Sequence, residues 1–324
     1  MKTTAKKILA LILVAATLVA CTFALSACGE QKKTVYTVGI CQLVRHDALD
    51  AATQGFKDAL TKALGEENVK FIEQNAQNDT NACTTIVTDF VSKNVDLIMA
   101  NATPALQAAA NATTTIPILG TSVTEYGVAL GINNFSGTVG GNISGTSDLA
   151  PLTEQGDMIL ELFPEAKNIG LIYCSAEANS EYQIKVIEEY LTGKGLKCTR
   201  YSFSDSNDIS AVTTTAASQS DVIYIPTDNT AASCTETIGN IVREKKVPVV
   251  AGEQGIAAGC GVATLSISYY DLGVKTGEMA AKILKGEANI SEMPIEYANA
   301  TKMYNETFCK ELGVTIPDGY TAIQ

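Results

Sequence analysis

From residue 34 onward, short apolar runs rich in β-branched residues alternate with longer stretches in which apolar residues recur every three or four positions. The first kind reads as buried strand and the second as amphipathic helix. Strands are expected at "TVYTVGICQL", "NVKFIEQNA", "VDLIMAN" and "IPILGTS", and later at "KNIGLIYC", "LKCTRYSF", "DVIYIPT" and "VPVVAG". The first helix carries Leu49, Phe56, Leu60 and Leu64 on one face, with Ala52 and Ala63 in the same stripe. Strands separated by helices in this way predict an α/β fold with parallel sheets.

An internal echo sharpens the picture. "VDLIMANATPALQAAANATTTIPIL" and "SDVIYIPTDNTAASCTETIGNIVREKKVPVV" share one plan: an Asp, an apolar strand, a Thr followed by Pro or Asp, a helix, and a strand opened by Pro117 or Pro248. Two similar Rossmann-like lobes are implied, since a solenoid would repeat at a shorter period. The Gly- and Ser-rich stretch 134–155 reads as a crossover between them, followed by a helix with Met158, Leu160, Leu162 and Phe163. Further crossovers are expected at "ATLSISYYDLG" and after Lys285. Three crossings make each lobe discontinuous: 34–148 with 268–287, and 149–267 with 288–324, around a hinged cleft.

The N-terminal segment follows a different pattern. Lys2, Lys6 and Lys7 precede an almost wholly apolar run from Ile8 to Leu25, and "LSAC" closes it. This reads as a lipoprotein signal peptide over 1–27, with Cys28 as the lipidated residue and 28–33 as a tether. An uncleaved membrane anchor is the alternative, because the run is long enough to span a bilayer. Either way the remainder is expected outside the cytoplasm, on the outer face of the cell membrane.

The chain has 324 residues, 46% of them hydrophobic, which is enough for two cores, and a formal charge of −12 with scattered basic residues. That field repels phosphates and excludes nucleic acid as a partner. Of nine cysteines, Cys21 and Cys28 lie in the leader region and seven remain, an odd number with no CxxC pair. Buried thiols are expected, with one or two disulfides open. One histidine, His46, and no ligand spacing argue against a metal site.

In open parallel sheets the ligand crevice lies beyond the carboxyl ends of the strands, where helix N-termini offer unpaired N–H groups. The candidates there are Gln42, His46, Thr103, Pro104 and the stretch Ser122 to Tyr126 from the first lobe. Asn179, Ser180, Thr227, Asp228, Asn229 and Glu253 come from the second, and Asp148 from the crossover. Thr103 can cap a helix whose first residue is Pro104. Asp228 and Asn179 also fit as helix caps, Asp148 could cap the helix opening the second lobe, and His46 as a helix-start residue beside the better cap Asp47. The glycines from Gly137 to Gly145 match neither GxGxxG nor a P-loop and read as a flexible loop. GxSxG is absent, no nucleophile pairs with His46, and nothing marks out two carboxylates, so no enzyme and no cofactor are expected.

"CQLVRHDALDAATQGFKDAL" resembles the opening of the ABC transporter substrate-binding proteins, a family that includes tryptophan- and tyrosine-binding lipoproteins. The likeness continues through "NAQNDT", "VDLIMANATPALQAAA", "IPILGTSVT", "SGTSDLAP", "IGLIYCSAEANS", "DVIYIPTDNT" and "YYDLGVKTGEMAAKILKG". It implies a type I periplasmic-binding-protein fold, a small ligand held between the lobes, and delivery to a membrane permease with a cytoplasmic ATPase. The ligand contacts it implies are Gln42, Thr103, Pro104, Gln107, Ser147 and Asp148, with Asn179, Ser180, Asp228 and Glu253 closing from the second lobe. The chain departs from the family at "TEYG" (Thr124 to Gly127) and at Ser268, each where an Asp is frequent.

The ligand expected on that basis is an amino acid, its carboxylate near Thr103 or Ser180 and its ammonium on Asp148 or Asp228, because a buried charge needs such partners. Tyr126, Phe135 and Tyr269 are the candidate walls for an aromatic side chain, and His46 a neutral part of the cleft wall. A sugar, nucleoside or other neutral ligand, or a ligand-sensing role, shares the same fold. A carrier that docks on a permease can act as a monomer.

Overall fold

A computed structural model describes residues 35–323; the expected leader 1–27, Cys28 and the tether 28–33 lie outside the described residues. The first lobe runs β1 (Tyr36–Gln42), α1 (Asp47–Leu64), β2 (Val69–Asn75), α2 (Thr80–Ser92), β3 (Leu97–Asn101), α3 (Thr103–Ala112), β4 (Ile118–Val123), α4 (Tyr126–Leu130) and β5 (Ile143–Ser147). The second contains α5 (Leu152–Leu162), β6 (Asn168–Cys174), α6 (Ala178–Gly193), β7 (Lys197–Phe203), α7 (Ile209–Gln219), β8 (Val222–Ile225), α8 (Asn229–Ala232), α9 (Thr235–Lys245), β9 (Val249–Ala251), α10 (Gln254–Cys260) and β10 (Ala263–Ile267). The chain returns through Ser268 into α11 (Tyr269–Leu284) and β11 (Glu296–Tyr297), then crosses again to β12 (Ala300–Tyr304), α12 (Glu306–Leu312) and β13 (Thr321–Ala322).

The sheet orders are β2-β1-β3-β4-β5-β11, all parallel, and β7-β6-β8-β9-β10-β12-β13, in which only β12 pairs antiparallel, to β10. This is the α/β, two-lobed arrangement that the alternation predicts. Strands β3 and β4 are buried along their whole length because helices cover both faces, which is why they read as unbroken apolar runs. Each lobe has its own core. Ile172, Tyr224 and Val250 anchor the second, while the first has one cluster on each face of its sheet, around Phe90 and Phe56.

Helix α1 buries Leu49, Ala52, Phe56 and Leu60 at helical spacing. Its buried face meets α11 at backbone distance: a Cβ on Gly273 would lie 2.0 Å from the Ala52 carbonyl oxygen, and one on Gly277 2.6 Å from that of Phe56. Only glycine lets these two helices approach so closely, and α11 thereby ties the second crossover to the first lobe.

Four expectations are corrected. The third crossover lies at 298–299, not at the expected boundary between 287 and 288, because β11 pairs with β5 and keeps 288–297 in the first lobe. The stretch Gly137 to Gly145 is not loop throughout: Ile143–Ser147 is β5, fully buried, with glycine required at 145 both by φ 148° and because a Cβ there would lie 2.1 Å from the Gly120 carbonyl oxygen. Ala63 is exposed and lies off the α1 stripe. His46, not Asp47, occupies the cap position of α1, in extended conformation and with no side-chain cap bond. All seven cysteines among the described residues are free, and five are buried.

Candidate functional site

The carboxyl ends of both sheets face one cleft, bounded by the crossovers. Two residues at its edge are held in the left-handed region although neither is Gly or Asn: Ala102 after β3 (φ 91°) and Ser122 at the bulge of β4 (φ 53°). Such backbone concentrates at functional sites because strain is tolerated there only when the surroundings enforce it. Unpaired polar atoms gather at the same edge. Of eight buried side-chain N and O atoms without a hydrogen-bond partner among the described residues, five sit at strand carboxyl ends or just after: Asn75 Nδ2, Asn101 Oδ1, Ser122 Oγ, Asp148 Oδ1 and Asn179 Oδ1. Buried polar groups are nearly always paired, so a cluster of orphans marks where a ligand supplies the partners.

Asp148 is central. It is 3% exposed, and its Oδ2 accepts a 3.0 Å hydrogen bond from the Tyr269 hydroxyl across the hinge while Oδ1 has none. Burial pushes its carboxyl up to about 6, with the Thr124 and Tyr269 hydroxyls pulling the other way. Glu253 is pushed up to about 7 by burial, although both its oxygens accept backbone N–H bonds from Gly255 and Ile256 at the start of α10. Glu177 and Asp228 are buried as well, and no lysine or arginine is buried among the described residues. Four buried carboxylates without a buried cation make the cleft a place for a positively charged ligand group.

The structure separates the remaining sequence candidates by whether their polar atoms are already satisfied. Gln42 is: its Nε2 donates to Val44 O (2.8 Å) and Asp50 Oδ1 (2.6 Å), and its Oε1 accepts from Thr53 (2.6 Å). Ser147 Oγ donates to Thr124 O and accepts from Leu149 N, which fixes the turn into the crossover. Gln107 turns its amide to Ala129 O of α4, away from the others. Asp228 caps α8 by accepting from Ala231 N (2.8 Å), also accepts from Cys174 N (2.7 Å), and is pushed up to about 7 by burial and the Glu177 charge. Thr103 and Pro104 are buried at the start of α3, where Ala102 and not Thr103 holds the cap position. Asn179 gives its amide protons to Glu177, Ser180 and Thr227 O and leaves Oδ1 open, while Ser180 is fully buried beside Asp228.

Of the three aromatic candidates, only Tyr269 reaches the cleft. Tyr126 is in the first-lobe core, donating to Thr146 O and stacked on Phe135 at 6.5 Å. Beside Tyr269 lies a pocket of about 310 Å³ between the lobes, lined among others by Asp47, Ala51, Glu253, Gln254 and Tyr270.

Three residues outside the motif-derived set matter. Glu177, just before α6, accepts from Asn229 N, Asn229 Nδ2, Thr230 N, Thr230 Oγ1 and Asn179 Nδ2. His46 Nε2 meets Asn229 Oδ1 at 3.3 Å, and Asn78 Nδ2 donates to Thr230 Oγ1 at 3.0 Å; both bonds join one lobe to the other. Burial lowers the His46 pKa, against the pull of the Asn229 hydrogen bond and the carboxylates of Glu177, Asp50 and Asp47. Nothing in the local pattern of "AEANS" distinguishes Glu177 from a solvated helix-start acid; its role comes from the first turn of α8, 52 and 53 residues on. Among the described residues no cluster of His, Cys, Asp and Glu could hold a metal ion, and no helix is long and apolar enough to cross a membrane.

The chain is similar to known proteins over nearly all of this architecture. A family profile described as ABC transporter substrate binding protein matches residues 37–322. A tyrosine-binding protein of Clostridioides difficile (strain R20291) is 36% identical over 294 residues, covering 89% of this chain and 85% of its own. A domain from Streptococcus pneumonia in complex with L-Trp superposes with a TM-score of 0.85 at 30% identity, over 90% of this chain and 100% of its own. The ligand-free, open form of a substrate-binding protein with adhesive properties from Clostridium difficile superposes at 0.68 with 38% identity, over 90% of this chain and 99% of its own. The lobes therefore stand closer to the arrangement in the L-Trp complex than to the open one, although the open protein shares more sequence.

Proposed function

The chain belongs to the ABC transporter substrate-binding proteins, non-enzymatic solute carriers that work outside the cytoplasm, and from that premise we propose that its solute is an aromatic amino acid held between the lobes. Its fold is that of the type I periplasmic binding proteins. The observation that carries the ligand reading is Asp148: a buried carboxylate with one oxygen unpaired, in a cleft without a buried cation, suits an ammonium group. The ligand carboxylate belongs near the start of α3 and not near Ser180, because Ser180 stands beside Asp228 and Glu177 whereas α3 has no acidic residue in its first turn. Ser122 Oγ and Asn179 Oδ1 complete the polar contacts, and Tyr269 flanks the side chain. Two relatives bind tyrosine and tryptophan, which supports an aromatic side chain here.

In this reading Cys28 carries the lipid that holds the protein at the outer face of the membrane, and the closed, loaded monomer delivers its solute to the permease. Gln42, Ser147 and Asp228 shape the site through their own lobes, and Glu253 does so as the cap of α10.

The chain has no tryptophan, so the fluorescence of added L-tryptophan, excited beyond the tyrosine band, reports binding without tryptophan background from the protein. We expect saturable binding by the protein from residue 29 onward, and a rise in its unfolding midpoint with L-tryptophan or L-tyrosine. A ligand at a hundred times its Kd adds about 2.7 kcal/mol to folded-state stability. A rise with a sugar or nucleoside and none with any of the twenty amino acids overturns the ligand class and leaves the family standing.

A further inference from the structure

We propose that Glu177 is the positioning residue of an interlobe latch, formed by His46 with Asn229 and Asn78 with Thr230, that holds the cleft shut and sets the rate at which solute leaves. The inference rests on the cleft being the binding site, as proposed above, but not on which solute fills it.

Both bonds between the lobes land on consecutive residues in the first turn of α8, a helix of only four residues that cannot hold them rigidly by itself. Glu177 supplies the rigidity. Its Oε2 accepts from Asn229 N at 3.1 Å and Nδ2 at 2.7 Å, and its Oε1 from Thr230 N at 2.9 Å and Oγ1 at 2.8 Å. It also fixes the polarity of the latch. Because the Asn229 NH2 is committed to Glu177, its carbonyl oxygen is turned toward His46, which must then donate from Nε2. Because the Thr230 hydroxyl spends its only proton on Glu177, it can meet Asn78 only as an acceptor, and Asn78 offers an amide proton. A carboxylate, which only accepts, enforces both orientations. A glutamine in its place donates from one side, and one of the two lobe-bridging acceptors loses its fixed direction.

The first-lobe half is equally prepared. Gln77 and Asn78 are consecutive left-handed residues (φ 54° and 64°), a turn that presents the Asn78 side chain outward while its N–H is tied to Leu43 O at 2.8 Å. Neither His46 nor Asn78 is among the residues proposed to touch solute, so removing their bonds changes how long the cleft stays shut and not what it recognises, whereas Glu177 also accepts from Asn179, which makes Asn78→Gly the variant that isolates the latch.

Three variants test this: Glu177→Gln, Asn78→Gly, which keeps the left-handed backbone without the side chain, and the two together. Stopped-flow release of L-tryptophan is the first readout, and the radius of gyration of the solute-free protein by small-angle X-ray scattering the second. Each single variant should release L-tryptophan on the order of three- to tenfold faster, as the loss of one or two neutral hydrogen bonds predicts. The double variant should be slower than the product of the two single effects, because both act through Thr230. Unchanged release in Asn78→Gly, or fully multiplicative effects, overturns the latch. Asn78 lies in the first lobe, so its result stands even where Glu177→Gln fails to fold. Should the unmodified protein bind no L-tryptophan, larger radii for the variants still support the latch and count against the aromatic ligand alone; equal radii overturn the latch.

Discussion

Asp148 and Asp228 both follow strands, β5 and β8, and the fold gives them different work. Asp228 is surrounded by donors of its own lobe, whereas Asp148 has the Tyr269 and Thr124 hydroxyls beside it and keeps Oδ1 open to the cleft. The raised pKa of Asp148 has a direct consequence for stability. Its ordinary value is 3.8 and burial lifts it to about 6, so between those values the folded protein holds a proton that the unfolded chain has lost. Folding stability from this group is thus present at low pH and lost as pH rises through about 6. Asp148→Asn removes the loss: the variant should match the parent near pH 4 and exceed it near pH 7 by about 2–3 kcal/mol in solute-free unfolding. Solute reverses the sign, because an ammonium on Asp148 requires the carboxylate. Affinity should therefore increase as pH rises through about 6, with proton release visible as a buffer-dependent heat in titration calorimetry near pH 5.5. A solute affinity flat from pH 5 to 7 removes Asp148 from the ammonium role. The sequence marks both aspartates as candidates, since both follow strands, but which one is satisfied depends on partners such as Tyr269, 121 residues away, and no local pattern encodes that.

At the scale of elements, apolar strands and amphipathic helices were legible because burial on both faces or on one leaves a period in the chain. Some elements escape because burial does not mark them with a run of large residues. Strand β5 reads "ISGTS", small residues that fit under Tyr126 and beside Gly120, and β11 has two residues, too few to show a period. They pair with each other beside the first and third crossovers, so the position of the third crossing leaves no trace in the hydropathy pattern. The α1–α11 contact is similarly silent in a hydropathy pattern, yet it holds the returning helix to the first lobe. Gly273→Ala places a methyl group 2.0 Å from the Ala52 carbonyl oxygen and forces the helices apart. Overpacking of this kind costs about 1–3 kcal/mol and occasionally more, seen as a lower urea midpoint. Gly193→Ala, in a helix end with nothing within 4 Å, is the matched control and should raise stability by about 0.4–1 kcal/mol. Equal effects from the two changes would show that the helices part freely and that the glycines of α11 do not set their separation.

For the whole molecule, the internal echo already implied two lobes, because each half repeats the strand, helix and Pro-led strand of the other. Their mutual closure was not legible: it depends on His46 and Asn78 meeting residues 183 and 152 positions away. A ligand shifts an open–closed equilibrium only by the difference between its affinities for the two states, so it must touch both lobes. Solute contacts and latch contacts then add to the same equilibrium but report different variants. Scattering from the unmodified protein should contract on adding saturating L-tryptophan. Asp148→Asn should fail to contract at the same concentration, because the solute is lost. Asn78→Gly should contract fully at saturation but need on the order of three- to tenfold more L-tryptophan to do so, since each missing hydrogen bond weakens closure by about 1 kcal/mol. If Asn78→Gly instead binds L-tryptophan while remaining expanded, solute would be held by one lobe alone, and closure would depend on the latch and not on the solute. Asp148 and the start of α3, both in the first lobe, would then suffice to hold the solute, and the permease would have to distinguish loaded from empty protein by something other than the angle between the lobes.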